Sequence, residues 1–308
     1  MTVTYEEQAG GGARFRLFGL HIQHSKAPLL HNFLFKRLGL ENWKYELFES
    51  NNVDEFKKYL QEPGTIGSAV TMPNKVTMID HVDVVDDGAK AVGAINTIYT
   101  KREADDKIIV GTNTDTIGIH SSFVYNTPDQ VKQSQESSLP GLVYGGGGAC
   151  RSAVYALHDL LHCSKVYIIN RYESEVVQVM KAMKQGGFKG EIVHIKNPDE
   201  AEQIANRPKL IVLTVPDFEP VSPEETLAKQ TLDVFIQDGK GAVLEMCYHP
   251  NPTTRLYKEF ESHNWKVISG IEAMIYQGIA QQVFWTGVPI DKMPVKEVID
   301  YIYLHLDH

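Results

Sequence analysis

Two stretches of this 308-residue chain carry side chains whose types and spacing could do chemistry. The first, HIQHSKAPLLHN at 21–32, gathers three histidines, a serine, a lysine and a proline ahead of an apolar segment. A metal, a nucleophilic serine and a small acidic ligand all find suitable groups there. His21, His24 and His31 lack the compact i, i+4 spacing of a metal-binding pair, so no metal is expected. His31 and Asn32 are expected instead to hydrogen-bond within their own domain.

The second stretch is VYGGGGACRS at 143–152. An apolar strand running into glycines and then a helix meets the needs of a dinucleotide loop. Gly145 is expected to make the turn, Gly147 to let backbone approach a pyrophosphate, and Gly148 and Ala149 to permit close helix packing. N–H groups at the helix start would then face the phosphates. The plainer reading is a glycine-rich turn that binds nothing. About 25 residues after Gly145 a second apolar strand ends at Asn170-Arg171, where such folds read the adenosine ribose. An acid there would favour NAD. Asn170 is uncharged and Arg171 can pair with a 2′-phosphate, so NADP is the preferred expectation over NAD, with Glu173 and Glu175 as opposing charges.

The elements that must hold these groups alternate. RFRLFGLHI reads as a strand, and Leu29, Leu30, Phe33, Leu34 and Leu38 then recur at helical spacing after Pro28, a favoured first-turn residue. YELFES, VDEFKKYL and TIGSAVTM continue as strand, helix and strand. KVYIINR, EIVHI, LIVLTVP and GAVLEMCY are short apolar runs suited to a buried parallel sheet, and IEAMIYQGIAQQVFWTG and VKEVIDYIYLHL read as closing helices. Residues 126–141, polar and rich in turn formers, read as a surface connection between units. The Gly10-Gly11-Gly12 run reads as part of a flexible leader.

A net charge of −9 gives no electrostatic reason to expect nucleic acid. Neither a long apolar run nor a basic-then-apolar leader stands in the sequence, so a cytoplasmic protein acting on small molecules is expected, without membrane partners. Cys150, Cys163 and Cys247 are odd in number and lack metal-ligand spacing, which suits reduced thiols.

Two further stretches place polar side chains at strand ends: GSAVTMPNK at 67–75 and GAINTIYTKREADDKIIVGTNTDTIG at 93–118. Taken in order, HSKAPLLHN, VTMPNK, GAINT, NTD.IG, GGGGACR, NR, MCYHP..T and QG...Q..FWTG resemble the shikimate and quinate dehydrogenase family over nearly the whole chain. The resemblance implies an α/β protein of two domains: an α/β substrate-binding domain at 13–116 and 272–308, and a Rossmann-type NAD(P)-binding domain at 117–271, with the active site between them. It makes Lys75 and Asp115 the catalytic pair, with Thr71, Asn96 and Gln277 on the ring hydroxyls of a cyclic hydroxy acid. Ser25 and Tyr248 would hold the substrate carboxylate. Such chemistry agrees with the residues, since oxidising a secondary alcohol needs a hydride acceptor and a group to remove the hydroxyl proton. A monomer or homodimer is expected.

Several positions depart from the family pattern. Ala27 stands where a second serine is common, and Ala69 where an asparagine is common. Glu245 replaces an aspartate before the tyrosine, Ala273 a methionine, and LTVP an Asn-Ala-Thr type turn. Retained Lys75 and Asp115 favour an active enzyme on a shikimate- or quinate-like acid. The lost binding groups favour an altered ring substituent, or a ligand-sensing protein on the same fold.

Overall fold

The apolar runs of the first part form a mixed sheet. The computed structural model describes residues 12–103, 106–249 and 251–306. In it β1 (Arg14–Gly19), β2 (Lys44–Glu49), β3 (Gly67–Val70), β4 (Val84–Val85), β5 (Thr97–Glu103) and β6 (Asp106–Thr112) lie in the order β2-β1-β3-β5-β6-β4. β1 runs parallel to β2 and β3, whereas β5 is antiparallel to β3 and β6. Phe15 and Leu17 enter the core on one face of β1 and Phe18 on the other, the alternation of a strand covered on both sides. Phe15 meets Phe35, Trp43 and Trp285 at ring-centroid distances of 5.0, 5.3 and 4.8 Å, and Phe18 stacks on Phe56 at 4.1 Å. Each such fully buried aromatic contributes roughly 2 to 3 kcal/mol through the area it removes from water.

Trp285 belongs to the Gly270–Thr286 helix and closes this core. Its indole N–H donates to the Ile98 carbonyl at 2.9 Å, and its ring lies so close to β3 that a Cβ on Gly67 would stand 2.3 Å from it. Gln277, Gln281 and Trp285 follow one another at intervals of four, so anchoring the tryptophan lays both amides along the same helix face.

The second series forms an all-parallel sheet of β7 (Gly141–Tyr144), β8 (Val166–Ile169), β9 (Ile192–His194), β10 (Leu210–Leu213), β11 (Ala242–Glu245) and β12 (Lys266–Ser269), ordered β12-β11-β10-β7-β8-β9. Counted from its own first strand this is 6-5-4-1-2-3, the doubly wound order of dinucleotide-binding folds. Its inner strands β7, β10 and β11 are buried on both faces, and the core includes Leu232, Phe235 and Phe260.

The chain divides into two units: one ends at Thr114 and resumes at Ile275, the other spans Asp115–Met274. The 126–141 stretch is not a bare connection. It forms a helix, Pro128–Glu136, inside the second unit, with Pro128 in the first turn and Val131 and Ser134 buried. Its single apolar residue hid an inward face that Ser134 and Val131 share at a spacing of three. Apart from Gly12, the expected leader lies outside the described residues.

Candidate active site

In the first unit, two loops leave the same end of the sheet, after β1 and β3. They are laced together: Leu20 N–H donates to the Met72 carbonyl at 3.0 Å and Thr71 N–H to the Phe18 carbonyl at 2.9 Å. A Cβ on Gly19 would lie 2.3 Å from the Thr71 methyl, so this approach requires glycine. The Lys75 carbonyl accepts from Ile95 N–H at 2.9 Å, and the Asn96 carbonyl from Val70 N–H at 2.8 Å. Thr71, Lys75 and Asn96 are thereby fixed at one end of one sheet.

Ser25 occupies the turn before the Ala27–Arg37 helix, its hydroxyl oxygen accepting from Ala27 N–H at 3.2 Å. That contact leaves the hydroxyl proton to donate. Lys26 reaches the His305 carbonyl at 3.1 Å. Ala27 and Ala69 border one apolar cluster that also holds Phe15 and Trp285, and Ala69 is buried in it. Ala27 is half-buried at the start of its helix, whereas Ala69 lies inside the core and offers no surface to a ligand.

A buried polar relay sets which atoms Asn96 and Gln277 present. Thr114 N–H donates to Asn96 Oδ1 at 2.7 Å, and because a backbone amide can only donate, the Asn96 amide nitrogen must face Gln277, whose Oε1 it meets at 3.3 Å. Gln277 Oε1 accepts from the Thr114 hydroxyl as well, at 3.3 Å. Deeper in, Gln281 Nε2 donates to Thr97 Oγ1 at 2.9 Å, and Thr97 in turn donates to Asn96 Oδ1 at 2.8 Å. Gln281 Oε1 therefore accepts from His31 Nε2 at 3.0 Å, and His31 Nδ1 accepts from Gln282 Nε2 at 2.9 Å. This tautomer is neutral. Full burial lowers the His31 pKa to about 3, against the partial support of Gln281. The opening histidine is thus structural, stacked on Tyr45 at 4.3 Å, and Asn32 pairs with both the N–H and the carbonyl of Tyr45.

In the second unit, Asp115 is the first residue of the Asp115–Asn126 helix. Its charge, after burial itself, pushes the Tyr248 phenol above its ordinary pKa and keeps it protonated as a donor. Tyr248 sits between two anchors set by Glu245. That buried carboxylate accepts from Cys247 N–H at 3.0 Å and from the Thr254 hydroxyl at 2.8 Å, while Thr254 caps the Arg255–Ser262 helix through Tyr257 N–H. Burial raises the Glu245 pKa to about 7, opposed by those two hydrogen bonds. Longer by one methylene than aspartate, Glu245 is a device that the sequence flagged only as a departure.

The glycine loop follows β7 at the switch point between β7 and β10. Gly145 has φ +116 and lies against Thr214, where a Cβ would come within 2.5 Å of the hydroxyl oxygen. The space around Gly147 is open, with nothing within 4 Å of a Cβ position, and the Gly148–Tyr155 helix begins just beyond it. A pyrophosphate needs such an uncovered loop with N–H groups directed outward. Gly148 serves differently from expectation: it is exposed, with no neighbour for a Cβ, and the helix packs through Cys150 and Ala153 rather than through Gly148 and Ala149. Besides Gly145, the glycine pressed by a neighbour is Gly146, whose Cβ would stand 2.8 Å from the Asn170 amide. Nothing in a run of four glycines marks which one is pressed.

A cleft of about 230 Å³ opens beside this loop, lined in part by Asn170, Arg171, Glu175 and Glu225. Glu173 pairs with Lys196 at 2.7 Å, whereas Glu175 also lines the cleft and accepts from Asn170 Nδ2 at 2.7 Å. The charge that meets Arg171 is Glu225, at 2.7 Å. It lies 54 positions away, beyond the reach of any local motif.

Residues 17–98 match the family model described as the shikimate dehydrogenase substrate binding domain. The quinate dehydrogenase of Emericella nidulans is 35% identical over 296 residues, covering 90% of this chain and 89% of that protein. The chain belongs to the shikimate and quinate dehydrogenase family. It is also 34% identical to the pentafunctional AROM polypeptide of Schizosaccharomyces pombe, of which it spans 18% of the length. Among solved structures, the dehydroquinate dehydratase and shikimate dehydrogenase from S. pombe AroM superposes with a TM-score of 0.78 at 29% identity, over 97% of this chain and 56% of that one. The quinate dehydrogenase from Corynebacterium glutamicum in complex with NAD reaches 0.77 at 17% identity, a likeness of fold over 95% of this family member and 99% of that chain. The two-domain α/β architecture with a Rossmann-type unit is common to them. No helix among the described residues is long and apolar enough to cross a membrane.

Proposed function

We propose that the chain is an NAD(P)-dependent dehydrogenase interconverting a ring hydroxyl and ketone of a quinate- or shikimate-like cyclic hydroxy acid. The observation that carries this reading is the donor set of the first unit. The relay from Thr114 N–H fixes Asn96 Nδ2 toward Gln277 Oε1, on the same sheet end as Thr71 and Lys75. Amide donors of fixed polarity suit the oxygens of a polyhydroxylated ring. Two further donors, the Ser25 hydroxyl and the protonated Tyr248 phenol, suit a carboxylate.

In this proposal Lys75 accepts the proton of the reacting hydroxyl, and Asp115 shares its charge with that lysine. A nicotinamide, when bound, supplies the hydride acceptor. Gly145, Gly147 and the start of the Gly148–Tyr155 helix hold its pyrophosphate, with Asn170 and Arg171 at the adenosine end. Arg171 favours NADP there, through the 2′-phosphate. The half-buried Ala27 beside Ser25 suits a substrate whose carboxylate side is bulkier or less hydrogen-bonded than that of shikimate.

Lys75→Ala and Asp115→Asn test the assignment. Turnover with quinate or shikimate is expected to fall at least about 100-fold, the scale for removing an acid/base group, while dinucleotide affinity stays unchanged. A Lys75→Ala protein keeping more than half the wild-type rate would remove the lysine from the mechanism. A wild-type protein that binds acid and nucleotide without turnover would make the chain a sensor.

A further inference from the structure

Dinucleotide folds that take NAD commonly place an acid at the end of the second strand, where it accepts from the ribose 2′-hydroxyl. Here that strand, β8, ends at Asn170, and its amide is committed: Nδ2 donates to Glu175 at 2.7 Å and to the Tyr172 carbonyl at 3.0 Å. Two acids line this part of the cleft: Glu175, which accepts that amide, and one from another element that pairs with Arg171 directly. Glu225, in the first turn of the Pro223–Ile236 helix, accepts from Val221 N–H at 3.0 Å and Ser222 N–H at 3.1 Å through Oε2, and from Arg171 at 2.7 Å through Oε1. Arg171 in turn lies over the Tyr172 ring at 4.9 Å.

We infer that Glu225 is this chain's acidic reader of the adenosine ribose, standing in for the carboxylate that Asn170 lacks and restraining the affinity for NADP that Arg171 alone would confer. The inference rests on the dinucleotide reading given above. Two backbone donors, Val221 N–H and the Ser222 N–H of the capping box, hold the carboxylate in place. A ribose diol can donate to it. A 2′-phosphate instead brings a charge of about −1.5 to −2 to a guanidinium already paired with a fixed anion.

Glu225→Gln removes the charge while a glutamine at the same position still completes a capping box. Calorimetric titration of NAD and NADP into wild type and variant, with no acid substrate present, reads the effect. The ratio of NADP to NAD affinity is expected to rise about 10-fold or more, the scale of a charge-assisted hydrogen bond. Ser222→Ala provides the structural control: it removes the cap but keeps the charge, and should lower thermal stability while leaving the ratio as in wild type. If both nucleotides bind and Glu225→Gln leaves the ratio within 2-fold of wild type, or if Ser222→Ala shifts it equally, Glu225 is a helix cap and the inference falls alone. If wild type binds neither nucleotide, the dehydrogenase reading falls and takes the inference with it.

Discussion

Acidification should destabilise the first unit through His31, and the size of the effect follows from its burial. The ring is fully buried, with a folded-state pKa of about 3 against an ordinary value of 6.5. Above pH 6.5 the imidazole is neutral in both folded and unfolded chains and contributes no pH dependence. Between 6.5 and 3 the unfolded chain binds a proton that the folded chain refuses, so stability is lost as pH falls, by about 1.4 kcal/mol per pH unit within that window. From pH 8 to pH 5 the loss is about 2 kcal/mol. Protonation would also oblige Nδ1 to donate, opposing the amide of Gln282 that now donates to it. Urea unfolding followed by intrinsic fluorescence is the assay, since Trp43 and Trp285 stand in the same cluster, Trp285 at 4.9 Å from the His31 ring. His31→Asn should be less stable at pH 8, because a stacked ring and one relay contact are lost. Its free energy should nevertheless fall less steeply toward pH 5, so that the two curves converge by about 2 kcal/mol. Parallel curves would refute the neutral, buried imidazole and the hydrogen-bond polarity derived from it.

Glu245 carries the opposite sign: its pKa is raised to about 7, so the stability it contributes is present below its ordinary 4.5 and lost as pH rises through 7. Glu245→Gln should flatten that decline, measured as the slope of unfolding free energy between pH 5 and 8; an unchanged slope would mean that the carboxyl is not buried. Arg171→Ala should weaken NADP more than NAD in calorimetric titration, by about 1 to 3 kcal/mol for the lost charged pair, and equal weakening would assign the guanidinium to adenine stacking. Ala27→Ser should lower the KM for shikimate, since it restores a hydroxyl beside Ser25. Ala69→Asn is expected to cost about 1 to 3 kcal/mol of stability, read as a lower unfolding midpoint, because Ala69 is packed into the core around Phe15 and Trp285; an unchanged midpoint would place residue 69 at an open surface instead.

What the sequence determined by itself was whatever neighbours along the chain decide. Pro28 ahead of leucines at helical spacing, the apolar runs that became β7 to β11, and the glycine turn after Tyr144 were legible because strand period, helix period and turn chemistry act over a few residues. The family resemblance reached further, naming Lys75, Asn96 and Gln277 through the order of its motifs, though with no account of how they are held. Only the tertiary structure decided the polarity of the amides, which depends on bonds between residues 181 and 250 positions apart. It also decided that Gly146 rather than Gly148 is pressed by a neighbour, that Pro128–Glu136 packs as a helix around Val131, and that Arg171 meets Glu225 rather than Glu173 or Glu175. Each of these turns on the direction of a hydrogen bond, the room for one carbon or the distance between two charges. Those are properties of surfaces that meet only once the sheets have closed, and no local pattern encodes them.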